Sequence, residues 1–565
     1  MGKFADFMKK LEVKPTDDEY EAISTSRWGN KDVYPIAHDK RTYDVLAFYA
    51  YWGTCGICVT SFTIGSSLIG IGLTAGQAMG AVLVGTFVAS GNAYLAGTPG
   101  VKHHLGYGML GRASFGMWGS YFCVMLNVFQ SFVFYGTQMY FGGRFQLCDF
   151  TLKTSSVAKS FAGEAICICL SAIFPTFLRM KNTLPTSAGI TTQALVGFVL
   201  FIIVYFPIIW YIPPHRIQKF LEPALIIAMA TMLGIMGWAV AANHGPGNLV
   251  SPAIAITKYE AGFKMVQGIT SIAGTYTGGS DRVSDWTRYA KSRHAATPAM
   301  LTCLPITVTL TALVGVITTS ATTHYLGTVQ WNPLIMLQGV QQTMYTPGCR
   351  AGTFFAGLGL LSVTIFVNYT QNCVSSGMDL AMLAPKYLSR RRGSIIFSIL
   401  GIIAQPWRFL TQAATFITVL SSFGVFMSPA AAVLMSDFWL VRKTKWNIPD
   451  LYRPGGIYWY TAGVNWRAFV AYFLGMFPAL PGFVNAVGGL PVNEVWVRFY
   501  QVSYFFGYIV SGLLYWGLCT LFPPEGLGEQ VDIDADIFVI QGLEGEASEN
   551  EKGMPSPEVG AAKME

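Results

Sequence analysis

Trp52-Gly53-Thr54-Cys55-Gly56 and Gly274-Thr275-Tyr276-Thr277-Gly278-Gly279-Ser280-Asp281 interrupt two apolar runs, about 45–73 and 263–281. A run of about 18 or more apolar residues is long enough to cross a bilayer as a helix. Polar, glycine-bearing backbone within such a run is tolerated where it lines a cavity inside the protein. The two stretches therefore predict broken helices whose freed carbonyls and amides face a solute or a cation. At Gly53, Thr54 and Gly56 the competing explanation is close helix packing through small residues. In the second run the backbone candidates are Gly274, Gly278 and Gly279, and the adjacent pair Gly278-Gly279 favours unwinding.

Working outward, similar apolar runs recur at about 77–97, 117–142, 185–208, 221–242, 296–320, 351–378, 393–408, 412–440, 466–484 and 499–521. With the first two, these make twelve expected transmembrane helices in an all-α integral membrane protein. The interrupted helices are the first and the sixth. A separation of five spans matches a five-plus-five inverted repeat with a site between the broken helices, followed by two C-terminal helices. The segment 162–178 is also apolar but contains Pro175. It is read as re-entrant or interfacial.

Composition agrees. Hydrophobic residues make up 52% of the 565 and charged residues 12%, against about 25% charged in soluble domains. Mean hydropathy is +0.44. A soluble enzyme, a disordered chain and a nucleic-acid-binding module are excluded. Lys and Arg favour the loops that carry Arg390, Arg391 and Arg392, which places those loops and both termini in the cytoplasm. Residues 1–44 are then a cytoplasmic segment, 45–521 the transporter domain, and 522–565 an acidic, disordered cytoplasmic tail. Lys552 and Lys563 in that tail are candidates for trafficking or ubiquitination machinery. Cys55 and Cys58 lie in an apolar helix without a redox context, and Cys148 with Cys349 is a candidate bridge.

No nucleophile triad, zinc motif or phosphate loop is visible, so the chain is read as no enzyme, and any transport draws on an ion or solute gradient. Gln138 and Phe134 in the third helix are spaced i, i+4 and share a face. Asn368, Asn372 and Ser375 form a stripe in the eighth. Rings such as Phe134 and Tyr276 stack on a planar heterocycle, while carboxamides supply a donor and an acceptor together. Gln138 and Asn372 thus suit a small, neutral ring carrying an amide or ureide edge. Asp281, Arg282, Asp285 and Arg288 follow the sixth helix. They are read as a gate, an ion-pair cluster around Arg288, with proton carriage by Asp281 as the alternative.

Several stretches together resemble the nucleobase–cation symporter 1 family, in particular its fungal uracil/allantoin permease-like branch, over about residues 26–480. They are Asn30-Lys31-Asp32 through Pro35 to Arg41-Thr42, Arg112-Ala113-Ser114-Phe115-Gly116, and Leu184-Pro185-Thr186-Ser187-Ala188-Gly189-Ile190-Thr191-Thr192. Asp285-Trp286-Thr287-Arg288-Tyr289-Ala290-Lys291 and Asp379 with Pro385-Lys386-Tyr387 and Arg392-Gly393 complete the set. The resemblance implies the twelve-helix LeuT-type fold and import of nucleobases, allantoin, hydantoins or related vitamins. It implies substrate contacts at Phe134 and Gln138, which stand at the family's Trp-x-Gly-x-Gln with phenylalanine in place of the stacking tryptophan, and at Tyr276, Asn368 and Asn372.

Two departures carry weight. Sodium-using members place hydroxyl residues before the first asparagine of helix 8, where this chain has Phe366 and Val367. A sodium site and any bound cofactor are therefore not expected, and a proton gradient is. Helix 1 shows Cys55, Cys58 and Thr60 in place of the Asp-x-x-Asn-x-Asn character common in uracil and allantoin permeases. The expected function is proton-coupled import of a nucleobase- or allantoin-type heterocycle across the plasma membrane. The alternatives are import of a vitamin (thiamine, pyridoxine or nicotinamide riboside) and a non-transporting nutrient sensor.

Overall fold

The first apolar run breaks within two residues of its second glycine. Helix α1 (Val45–Gly56) and helix α2 (Val59–Gly70) meet at a 42° bend. Ile57 N still donates to Gly53 O at 2.8 Å, and Cys58 is extended at φ −137°, ψ 170°. The computed structural model describes residues 10–13, 27–143, 165–185, 191–247, 256–327, 329–403 and 413–531, without the side chains of 137–143 and 413–416.

After the bend come α3 (Ala75–His103), α4 (Tyr107–Phe115), α5 (Ser120–Gly143), α6 (Ala165–Ile173), α7 (Pro175–Leu178), α8 (Thr192–Tyr211) and α9 (Pro214–Ala242). The second half holds α10 (Lys258–Asp281), α11 (Ser284–Thr287), α12 (Thr297–Leu326), α13 (Pro333–Thr343), α14 (Pro347–Val367) and α15 (Val374–Leu383). Then follow α16 (Arg390–Ile403), α17 (Ala413–Ser436), α18 (Trp466–Met476), α19 (Leu480–Gly488), α20 (Glu494–Gln501) and α21 (Ser503–Leu521). Local chemistry sets many of these ends. Thr74 and Gln77 form a capping box at the start of α3. Pro347 occupies the first turn of α14 behind the cap Thr346, whose hydroxyl accepts from Cys349 N.

Among the described residues, eight helices are long and apolar enough to cross a membrane, and nine if the bent α1–α2 pair is one span. Large apolar side chains cover their outer faces, with Ile203 60%, Ile226 64% and Phe355 69% exposed. Apolar surface so distributed belongs in lipid. The protein is an all-helical, multi-pass membrane protein. Helix α6 has nine residues, about 14 Å, against roughly 30 Å of hydrocarbon. The described helix is too short to span by itself; Gln341 Nε2 holds Ile168 O at 3.0 Å and Arg350 Nε holds Ala172 O at 2.7 Å.

Three expectations are corrected. Helix α10 does not unwind at Gly278-Gly279 but continues to Asp281. The glycines there create room rather than flexibility. A Cβ on Gly278 would collide with Gln130 Oε1, and one on Gly279 would lie 2.5 Å from Gln371 Oε1. The chain leaves the helix only at Arg282, to re-enter a short turn at α11. Next, the chain after residue 522 stays ordered up to Val531. That residue bridges Asn447 in parallel, with Val531 N on Trp446 O at 3.0 Å and Ile448 N on Val531 O at 3.1 Å. The rest of the tail, like Cys148, lies outside the described residues. The third correction concerns the polar cluster below α10.

Candidate functional site

Helices α1, α2, α5 and α10 and the middle of the α14–α15 rod surround a cavity of about 60 Å³. The rod itself is irregular. Residues Asn368–Cys373 between α14 and α15 form a π-helix, a wide turn found frequently at functional sites. Its widening brings Ser375 Oγ to Thr370 O at 2.9 Å. Gln371 and Asn372 consequently both reach the cavity wall.

Of the substrate contacts expected from the sequence, Phe134, Tyr276 and Asn372 line the cavity. Asn368 stands behind the wall, where its Oδ1 accepts from Asn372 Nδ2 at 2.9 Å. Asn368 thereby orients Asn372 rather than facing the space itself. Gln138 lies on α5, with a side chain outside those described. The Tyr276 and Ser61 hydroxyls are 2.7 Å apart, which locks the α10 ring against α2.

Among the backbone candidates, Gly278 and Gly279 line the cavity. Gly274 offers its carbonyl to Gln130 Nε2 at 3.0 Å and packs against α17, where a Cβ would meet Gly424 N at 2.7 Å. Gly53, Thr54 and Gly56 serve packing instead. Thr54 Oγ1 bonds Ala50 O at 2.7 Å, and Gly56 lets α1 approach Thr307 on α12.

Residues outside the expected set complete the wall, chiefly Trp52, Cys55, Cys58, Gln130, Ser131 and Gln371. Trp52 Nε1, Gln130 Oε1 and Ser131 Oγ are buried without a protein hydrogen-bond partner. Leaving such atoms unpaired costs about 1–3 kcal/mol each. All three belong to residues that line the cavity beside Phe134 and Tyr276. A signal for Gln130 was present: it is spaced four residues before Phe134 and eight before Gln138, one helix face.

Arg282 closes the floor. The expected cluster around Arg288 does not form as drawn. Arg282 pairs with Asp379 of α15 at 3.4 Å, the two side chains being 3% and 2% exposed. Its other hydrogen bonds go to Gly278 O, Gln371 O and Ser376 Oγ at 3.0, 2.8 and 3.1 Å. Asp281 turns away and accepts from Asn92 Nδ2 of α3 at 2.7 Å. Asp285 accepts from Tyr107 N at 2.9 Å, and Arg288 donates to Asp32 O at 2.9 Å. Asp285, Arg288 and Asp379 line a second cavity below the first. The physical reason is that α11 turns Asp285 and Arg288 away from the floor, leaving α15 to supply the counter-charge.

Known proteins agree with this architecture. Residues 35–148 and 155–507 match the family described as permease for cytosine/purines, uracil, thiamine, allantoin. The Transporter aclS of Aspergillus oryzae is 32% identical, over 90% of this chain and 89% of its own. The Thiamine transporter of Saccharomyces cerevisiae is also 32% identical, over 92% and 83%. The Uracil permease of the same yeast is 27% identical, over 93% and 81%. Among solved structures, Mhp1, a nucleobase-cation-symport-1 family transporter, in a closed conformation with bromovinylhydantoin bound superposes with a TM-score of 0.65. It shares 19% identity and covers 88% of this chain and 97% of its own. At that identity the likeness bears on the fold alone.

Proposed function

Because the chain belongs to the permease family for cytosine/purines, uracil, thiamine and allantoin, and is therefore a transporter and no enzyme, we propose that it imports a neutral, planar nitrogen heterocycle of the nucleobase or allantoin type. The observation that carries the reading is the set of polar atoms at the cavity wall. Trp52 Nε1 donates to a ring carbonyl, Gln130 Oε1 accepts from a ring N–H, and Asn372 adds a further contact. Phe134 and Tyr276 hold the ring faces. No Asp or Glu is among the described residues lining the cavity, and Arg282 is. A cationic ring lacks a counter-charge there, which favours a neutral solute over thiamine or nicotinamide riboside, both of which carry a quaternary ring nitrogen. The vitamin reading is kept because a thiamine transporter is among the relatives at 32% identity.

The architecture that accompanies this reading has twelve spans. Nine are the helices and bent pair counted above, and α5, α10 and α16 supply three more. The first ten form the inverted repeat and α18–α19 with α21 the final two spans. Both termini are cytoplasmic, the membrane is the plasma membrane, and tail lysines Lys552 and Lys563 serve trafficking. Coupling is to protons. Phe366 and Val367 offer no side-chain oxygen for sodium, and Asp281, held by Asn92, carries the proton.

Uptake of labelled uracil, allantoin, uric acid, cytosine, thiamine, pyridoxine and nicotinamide riboside in transporter-deficient cells tests the substrate. Saturable uptake of a neutral ring is expected, whereas uptake of thiamine alone selects the vitamin reading. Saturable binding with no accumulation of any solute selects the sensor. Uptake is further expected to rise as external pH falls and to persist when sodium is replaced. Strict sodium dependence at constant pH refutes proton coupling. Asp281→Asn is expected to retain substrate binding while losing uncoupler-sensitive accumulation.

A further inference from the structure

At the end of the bundle that holds Tyr43 and Val531 lies a third, larger cavity of about 480 Å³. Arg41, Lys102, Lys291 and Arg293 line it together with His38 and Ile448, and no Asp or Glu is among its described lining residues. Its cations come from separate elements. Arg41 precedes α1, Lys102 ends α3, and Lys291 with Arg293 follows α11. The backbone bridge between Tyr43 and Ala290, with Lys291 N on Tyr43 O at 2.9 Å, sets Arg41 and Lys291 side by side. Lys102 Nζ is fixed by Thr444 O at 2.6 Å, and Arg41 Nε by Ile36 O at 3.2 Å. The cavity lies around the base of α1 and α11, apart from the first cavity.

The described chain ends against the wall of this cavity. Val531 is paired in parallel with Asn447 and accepts from the backbone N of Ile448, which is itself in the wall. The next residues are Asp532-Ile533-Asp534-Ala535-Asp536. Asp532, Asp534 and Asp536 alternate in sequence, a spacing that puts side chains on one face of any extended segment. Five extended residues reach about 16 Å. Three carboxylates within five residues of Val531 are therefore in reach of a cavity lined by Arg41, Lys102, Lys291 and Arg293.

We propose that Asp532–Asp536 docks in this basic cavity of its own chain, fastening the tail across the cytoplasmic ends of α1, α3 and α11. The partner is an acidic, extended peptide, and recognition is by charge-paired contacts to Lys102, Lys291, Arg41 and Arg293. The proposal does not depend on which solute the protein carries.

Zero-length carbodiimide coupling of the purified full-length protein, read by peptide mass spectrometry, tests it. Amide links from Asp532, Asp534 or Asp536 to Lys102 or Lys291 are expected within one molecule. They should fall to background in about 1 M salt, where the screening length is near 3 Å. The triple variant D532N/D534N/D536N, altered only in the tail, should lose them with its thermal stability and surface level unchanged. A mixture of isotope-labelled and unlabelled protein distinguishes the neighbouring copy, and links found only between the two overturn the proposal. Tail carboxylates joined mainly to lysines outside the cavity also overturn it. So does equal shielding of Lys102 and Lys291 by anionic lipid vesicles in the parent and the triple variant, with no tail adduct.

Discussion

Asp379→Ala is expected to abolish uptake and to lower the thermal stability of the purified protein. The substitution leaves the Arg282 guanidinium buried at 3% exposure without its carboxylate partner at 3.4 Å. Removing one partner of a buried pair typically destabilises by about 3–5 kcal/mol, a large share of the roughly 5–15 kcal/mol that holds a domain folded. The orphaned charge also lines the first cavity. The apolar pair Arg282→Met with Asp379→Leu separates the two effects. It should recover much of the stability, because neither charge remains buried, yet fail to restore transport, because the floor has lost its donor. Parental melting temperature in the single variant would show that the pair does not hold α10 to α15.

Asn372→Ala is expected to reach the cell surface and to bind solute more weakly. The side chain lines the cavity and its amide donates to Asn368 Oδ1 at 2.9 Å. Loss of one buried hydrogen-bonding group costs about 1–3 kcal/mol, or roughly a 5- to 150-fold rise in Kd. Asn368→Ala should weaken binding in the same direction by a smaller factor, since it frees the orientation of Asn372 without removing the contact. Direct binding to both purified variants checks the order. Equal, parental affinity in both would remove the polar stripe from recognition.

The candidate site was readable in part. Phe134, Tyr276 and Asn372 were identifiable because a polar or aromatic side chain inside an apolar helix needs a reason to be there. Gln130 satisfies the same criterion, but the family pattern drew attention to Gln138 instead. The double glycine at 278–279 shows a limit of local reading. Two adjacent glycines lower the cost of unwinding, yet they equally permit a straight helix to accept Gln130 and Gln371 at close range. The neighbours decide between these outcomes. The π-helix at Asn368–Cys373 left no compositional mark, since any residue can take part in a widened turn.

Membrane residence and the helical runs follow from the order of residues alone, because in hydrocarbon a segment of about 20 residues must satisfy its own backbone and expose apolar side chains. That requirement is local and additive along the chain. Which polar groups meet inside the bundle is not local. Arg282 meets Asp379 and Asn92 meets Asp281, partners far apart in sequence, through the rotation and crossing of packed helices. The bend at Ile57–Cys58, the straight passage through Gly278-Gly279 and the turn that separates Asp285 from the cavity floor are set by those crossings. Each depends on the side chains of several helices at once, so no single stretch of sequence contains the answer.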